Sequence, residues 1–204
     1  LFTGCSKKAE SKVPDKLIVG TNAEFPPFEY MNDKKQPEGF DIAMIKEIGK
    51  RMGKKVEIKN MEFKSLIGAM ESDSINAIIA GMTKTEKREK AVDFSDSYYT
   101  TNQAIILKKD SKITKLAQLD GKKIGVQEGT TGDLISSGDK FGDGKKAKVL
   151  VKGAKVKRFK KGVDAVMDLK NGSVDAVVID ELTANEFVKK NAKKLKIVID
   201  SAGS

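Results

Sequence analysis

The chain has 204 residues, 39 Lys+Arg against 29 Asp+Glu and a formal net charge of +10, a length that admits one large domain or two small ones. With no histidine and a single cysteine, Cys5, these residues cannot build a Ser-His-Asp or Cys-His nucleophile, a His-ligated zinc site, an intrachain disulfide or a thiolate metal cluster. The positive charge is spread as lysines along helices and loops, as in Lys108-Lys109, Lys145-Lys146 and Lys193-Lys194, with no stacking motif or zinc finger beside them, so it reads as a solvated surface rather than a nucleic-acid interface.

The chain opens on LFTGC, an apolar pair and small residues ahead of Cys5, followed by the lysine-rich SKKAESKVPDK. The pattern resembles the end of a bacterial lipoprotein signal, and implies a lipid on Cys5 and a tether over residues 6–16. KLIVG (16–20) is a strand that stops at Thr21-Asn22. AEFPPFEY (23–30) is a proline-stiffened loop holding Phe25, Phe28 and Tyr30. Ile42, Ile45, Ile48 and Met52 recur at helical spacing from Asp41 to Gly53. KVEIK (55–59) alternates as a strand, Leu66, Ile67 and Met70 mark a short helix, and INAIIAG (75–81) is a buried strand. Strand and helix alternate, which predicts an α/β fold with a largely parallel sheet.

The pattern restarts at QAIIL (103–107). KKIGV (122–126) is a strand running into the polar loop QEGTTGD (127–133), and residues 138–146 read as an exposed Gly/Lys loop. Val163, Val166, Met167 and Leu169 predict the apolar face of a helix ending at Gly172, VDAVVID (174–180) a second buried strand, and LKIVI (195–199) the last. SINAIIAG (74–81) and SVDAVVID (173–180) share one order of residues, each after a short amphipathic helix, and Gly81 falls where Asp180 falls. Two similar α/β lobes, each presenting a strand's C-terminal end, are expected from this likeness.

The densest chemistry lies in GMTKTEKREKAVDFSDSYY (81–99). Thr83 and Glu86 have capping-box spacing, so a helix is expected to start there and offer its N–H groups to an anion, with Arg88 closing on the same anion as a bidentate carboxylate partner. Asp180 ends an apolar strand, where a buried carboxylate needs a cation or donors. Thr130 and Thr131 add hydroxyls in the other strand-end loop, and Gly129 lets the backbone come close. Taken singly, Arg88 also reads as a surface arginine beside a routine cap, and Asp180 as the N-cap of ELTANEF. Together, with Phe25 and Phe63 as apolar faces, they outline a receptor for a free α-amino acid.

On LIVGTNAEFPPFEY, GFDI, MEF, the 75–99 stretch, GKKIGVQEGTTG and VDAVVIDE, the chain resembles the polar amino-acid-binding extracytoplasmic receptors of bacterial ABC importers. The resemblance implies a two-lobed fold of the type II periplasmic-binding-protein kind, with an anchor and tether at 1–15, lobe 1 at 16–101 and lobe 2 at 102–204. It implies that Arg88 takes the ligand carboxylate with help from Thr83 and Thr131. Gly81, next to Ala80, would offer its carbonyl to the ammonium, with Asp180 opposite. Phe25 and Phe63 would flank the ligand side chain, and Asn22 and Gln127 would line its far end. Asn22 stands where receptors for cationic amino acids tend to carry an acid, so the expected ligand is neutral and polar, such as glutamine, although Glu24 nearby is acidic. The implied partners are that ligand and the permease subunits, with no cofactor, no metal and no nucleic acid, on the extracytoplasmic face of the membrane.

Such receptors run on for several tens of residues beyond a segment like LKIVID. The resemblance therefore implies an incomplete lobe 1, with weak stability or exchange of segments between chains as the expectation. Two other readings share the fold: a cyclohexadienyl dehydratase-like enzyme, with Glu24 as its acid or base, and a ligand-sensing module. The clamp of Arg88 with Asp180 argues for binding rather than turnover.

Overall fold

The computed structural model describes residues 15–138 and 151–199. Cys5, most of the tether and nearly all of the 138–146 loop lie outside the described residues.

The first half of the chain runs β1 (Lys16–Thr21), β2 (Glu24–Phe25), β3 (Glu29–Met31), β4 (Pro37–Glu38), α1 (Phe40–Arg51), β5 (Lys55–Asn60), α2 (Leu66–Glu71), β6 (Ala77–Ile78) and α3 (Glu86–Glu89). β5, β1 and β6 form a parallel sheet in that order, and β2–β4 a small antiparallel sheet beside it. Leu17, Val19, Ile45 and Ile79 make one core cluster, and Leu66, Ile75 and Ala80 another. Helix α1 buries Asp41, Ile42, Ile45 and Gly49. Ile48 and Met52, expected on its apolar face, are exposed, because the buried stripe passes through Ile42, Ile45 and Gly49 instead.

The second half runs β7 (Gln103–Lys108), β8 (Lys123–Gln127), α4 (Thr131–Ser137), β9 (Lys155–Phe159), α5 (Gly162–Asn171), β10 (Ala176–Asp180), α6 (Glu181–Lys189) and β11 (Leu195–Ile199). Its sheet has the order β11-β7-β10-β8-β9. The α/β architecture matches the expectation. The pairs β10–β8 and β8–β9 are parallel, whereas β7 runs antiparallel to both β10 and β11. Period-2 alternation sends Val177 and Ile179 to one core face with Leu169, and Ala176 and Val178 to the other with Ile124. On α5, Ala165, Val166 and Leu169 are the buried stripe, while Val163 and Met167 are exposed. The apolar period holds, but the buried stripe lies about a quarter-turn from the face expected.

The likeness between residues 74–81 and 173–180 has a structural counterpart. Asn76 donates its N–H to the Ile18 carbonyl and accepts the Ile18 N–H on Oδ1, both at 2.8 Å. Asp175 does the same to Lys123, donating its N–H at 2.8 Å and accepting on Oδ2 at 2.8 Å. In each half the side chain before the strand supplies an acceptor that the neighbouring parallel strand needs. β6 is much shorter than the expected 75–81 strand: it pairs on one side only, and this side-chain rung replaces its first backbone rung.

Candidate functional site

The C-terminal ends of β6 and β10 face each other, and Gly81 and Asp180 line the same small cleft. Phe25, Phe63, Ala80, Thr83, Arg88, Thr130 and Thr131 complete its wall. Every expected ligand residue except Asn22 and Gln127 is therefore brought to one place. The enclosed space is about 10 Å³, room for roughly one water, so an amino acid fits only when the two halves part.

Arg88 is buried at 6% exposure. Its Nη1 donates to the Thr83 carbonyl at 2.5 Å and its Nη2 to the Gly129 carbonyl, from the other half, at 2.9 Å. The Phe63 ring lies under its Cζ at 5.3 Å, a cation–π contact. Burial pulls the Arg88 pKa down to about 10, partly offset by the charge of Asp180, so the guanidinium stays charged at neutral pH. The expected capping box at Thr83 is not what forms. Thr85 is the N-cap, accepting the Arg88 N–H at 3.3 Å, and the helix spans Glu86–Glu89 alone. Thr83 is thereby freed to face the cleft, where the Thr131 hydroxyl donates to its hydroxyl at 3.1 Å.

Across the cleft, Thr130 caps α4 and donates its hydroxyl to the Gln127 carbonyl at 2.8 Å, so it shapes the loop more than it offers a free hydroxyl. Gly129 sits at φ +78, and a Cβ there would meet the Lys64 side chain at 3.3 Å, which is why a glycine suits this crossing. Asp180 occupies the N-cap position of α6 but makes no capping bond with its side chain. Burial raises its pKa to about 6, against the lowering effects of Gln103, its own backbone N–H and Arg88. The helix does not consume this carboxylate.

Asn22 and Gln127 lie behind this cleft. Gln127 Nε2 donates to Asn22 Oδ1 at 2.7 Å, and Asn22 Nδ2 donates to the Met61 carbonyl at 2.7 Å. Three ion pairs cross at the rim: Lys64–Glu128 at 2.9 Å, Lys160–Glu62 at 2.6 Å and Lys161–Glu24 at 2.7 Å. Sequence reasoning missed these pairs, since nothing in a linear chain places residue 24 beside residue 161. It also missed the role of Asp41, whose carboxylate accepts the Gly81 N–H; the sequence marks Asp41 only as the start of a helix and as part of GFDI. A larger recess of about 600 Å³ adjoins the cleft, walled by groups such as Phe28, Ile78, Phe94 and Tyr99. The arginine, however, faces the small cleft and is absent from that wall.

The family described as bacterial extracellular solute-binding proteins, family 3, matches residues 17–202. The chain is 36% identical over 201 residues to the arginine-binding extracellular protein ArtP of Bacillus subtilis, covering 98% of this chain and 74% of that protein. It is 32% identical over 193 residues to a probable histidine-binding protein of Neisseria gonorrhoeae, covering 94% and 69%. An ancestral arginine-binding protein bound to arginine superimposes with a TM-score of 0.82 at 43% identity, over 91% of this chain and 79% of that one. The arginine-, lysine-, histidine-binding protein ArtJ of Geobacillus stearothermophilus does so at 0.80 and 38%, over 92% and 77%. These relatives are binding proteins rather than enzymes. With this family match, and sheets that repeat the type II periplasmic-binding-protein fold, the chain belongs to the extracellular amino-acid solute-binding proteins of bacterial ABC importers.

Proposed function

We propose that this chain is an extracytoplasmic receptor that closes on one free polar L-amino acid and hands it to an ABC permease, held at the membrane by a lipid on Cys5. The observation that carries the reading is the convergence of buried Arg88 and buried Asp180 on one cleft from opposite halves. Arg88 would exchange its two carbonyl acceptors for the ligand carboxylate, a stronger, charge-assisted partner. Asp180 and the Gly81 carbonyl would take the ammonium. Phe25 and Phe63 would cover the aliphatic part of the side chain, and the amides of Asn22 and Gln127 would meet its end. Residues 16–101 and 102–204 are the two lobes of this reading, with the hinge near residues 99–103.

For the side chain, a cationic ligand such as arginine has the most support. Glu24 stands near the amide end, where Lys161 now neutralises it, and a ligand guanidinium would compete for the same carboxylate. The relatives named for arginine and histidine point the same way. The neutral reading, glutamine, is favoured by the all-amide Asn22–Gln127 pair and by an ancestral arginine-binding protein bound to glutamine.

The test is a thermal-melt panel of the twenty amino acids, followed by calorimetry. A ligand at about 100 times its dissociation constant adds about 2.7 kcal/mol to stability. The expected result is one large shift, for arginine, that disappears in Arg88→Ala. No shift with any amino acid overturns the reading.

A further inference from the structure

Behind Gly81 lies a cluster that the ligand residues do not include. Asp41, in the first turn of α1, is fully buried. Its Oδ2 accepts two hydrogen bonds at 2.8 Å, one from the Gly81 N–H and one from the Tyr98 hydroxyl. Glu29, at the start of β3, is also fully buried, and its carboxyl is within hydrogen-bonding reach of Asp41. Among the described residues, neither oxygen of Glu29 nor Asp41 Oδ1 has a conventional donor. Two carboxylates cannot share a dry site with both charged. A carboxylic acid on Glu29 that donates to Asp41 Oδ1 satisfies both groups at once.

We infer that Asp41 is a positioning residue of the ligand site, holding Gly81 through its amide, and that Glu29 supports it as a carboxylic-acid donor. The inference rests on the ligand site proposed above. Gly81 sits at φ +52, a left-handed conformation that a glycine leaves easily. A charged acceptor on its N–H removes that freedom and fixes where its carbonyl points. The negative charge of Asp41 also lies behind the end of the cleft where Asp180 waits for an ammonium. The groups acting on Glu29 agree with the donor role: burial first, then the negative charges of Asp41 and Asp180, push its pKa up to about 11. Tyr98, held by Asp41 and next to Tyr99 in the segment leading to β7, ties the same carboxylate to the strand that joins the two halves.

The experiment uses Asp41→Asn and Glu29→Gln, read by calorimetry with L-arginine and L-glutamine, by infrared spectroscopy and by the Gly81 amide signal in NMR. The native protein is expected to show the carbonyl band of a protonated carboxyl at neutral pH, lost in Glu29→Gln. Its Gly81 amide proton is expected far downfield, as for an amide bound to a carboxylate, and to move upfield in Asp41→Asn. The better ligand should bind at least tenfold more weakly to Asp41→Asn, and lose less in Glu29→Gln, whose amide still donates. Asp41→Asn binding within twofold of native, or a native protein without the protonated-carboxyl band, overturns the inference. If Asp41→Asn does not fold, the band and the native Gly81 shift decide it. If the native protein binds no amino acid, the functional proposal fails, while the band and the amide shift still judge the cluster.

Discussion

Gln127 donates its side-chain amide to Asn22 behind the cleft at 2.7 Å, joining two strand ends 105 residues apart. Both groups are buried, so this bond is made and broken in a dry setting where a lost partner is costly. In the proposed site the pair meets the end of the ligand side chain, so changing it is expected to change which side chain is tolerated. Asn22→Asp keeps the acceptor for Gln127 and adds a negative charge at the same place. The ratio of arginine to glutamine affinity is expected to rise by about tenfold, about 1.4 kcal/mol, in calorimetry on the two proteins. An unchanged ratio would place the ligand side chain elsewhere.

Asp180 makes both stability and binding depend on pH. Its pKa is about 6 in the folded chain and 3.8 ordinarily. Between those values the unfolded chain has released a proton that the folded chain keeps, so stability falls as pH rises through that window and levels off above it. The full effect is about 3 kcal/mol. Asp180→Asn should therefore melt higher than the native chain at pH 7 and close to it at pH 4, while losing ligand. Binding runs the other way, because only ionised Asp180 attracts an ammonium. Native affinity is expected to drop about tenfold from pH 7 to pH 5, and flat affinity over that range would remove Asp180 from the ammonium site.

The rim pairs Lys64–Glu128, Lys160–Glu62 and Lys161–Glu24 are partly solvated, so each contributes little alone. Acting together across the cleft, they are expected to bias the halves toward closure, and salt should weaken them. Raising ionic strength from 0.1 to 1 M shortens the screening length from about 10 to about 3 Å. Small-angle scattering of the ligand-free chain is expected to report a larger radius of gyration at high salt. The triple change Lys64→Gln, Lys160→Gln, Lys161→Gln should show the larger radius at both salt concentrations. A native radius independent of salt would count against a role for these pairs in closure.

Leu169 and Met167 test the phase of α5. Leu169 is fully buried against β10 and Met167 is 55% exposed. Leu169→Ala should cost about 2–5 kcal/mol in denaturant unfolding, and Met167→Ala about 0.5 kcal/mol or less. Equal costs would mean that the helix is rotated from the position described.

Much of this molecule was legible in the chain itself. Period-2 and period-3.6 patterns are local, so β1, α1, β8, α5 and β10 lie close to where their apolar residues place them. The doubled Ser-x-Asn/Asp-Ala motif led to two comparable strand ends because Asn76 and Asp175 do the same local job. Residue chemistry also narrowed the site: an arginine and an aspartate at strand ends have few partners as suitable as a zwitterion.

What the chain could not reveal was decided by contacts between distant residues. The antiparallel placement of β7 depends on which strand edge lies open beside it, and an apolar run pairs equally well in either direction. Thr85 rather than Thr83 caps the helix, and the partners of Thr83, Arg88 on its carbonyl and Thr131 of the other half on its hydroxyl, are brought to it only by the fold. Nothing local sets Glu29 and Asp41 apart from the other 27 acidic residues of the chain; only the fold buries them together. Burial and neighbouring charge set the protonation of a carboxyl, and both are properties of the folded molecule, not of its sequence.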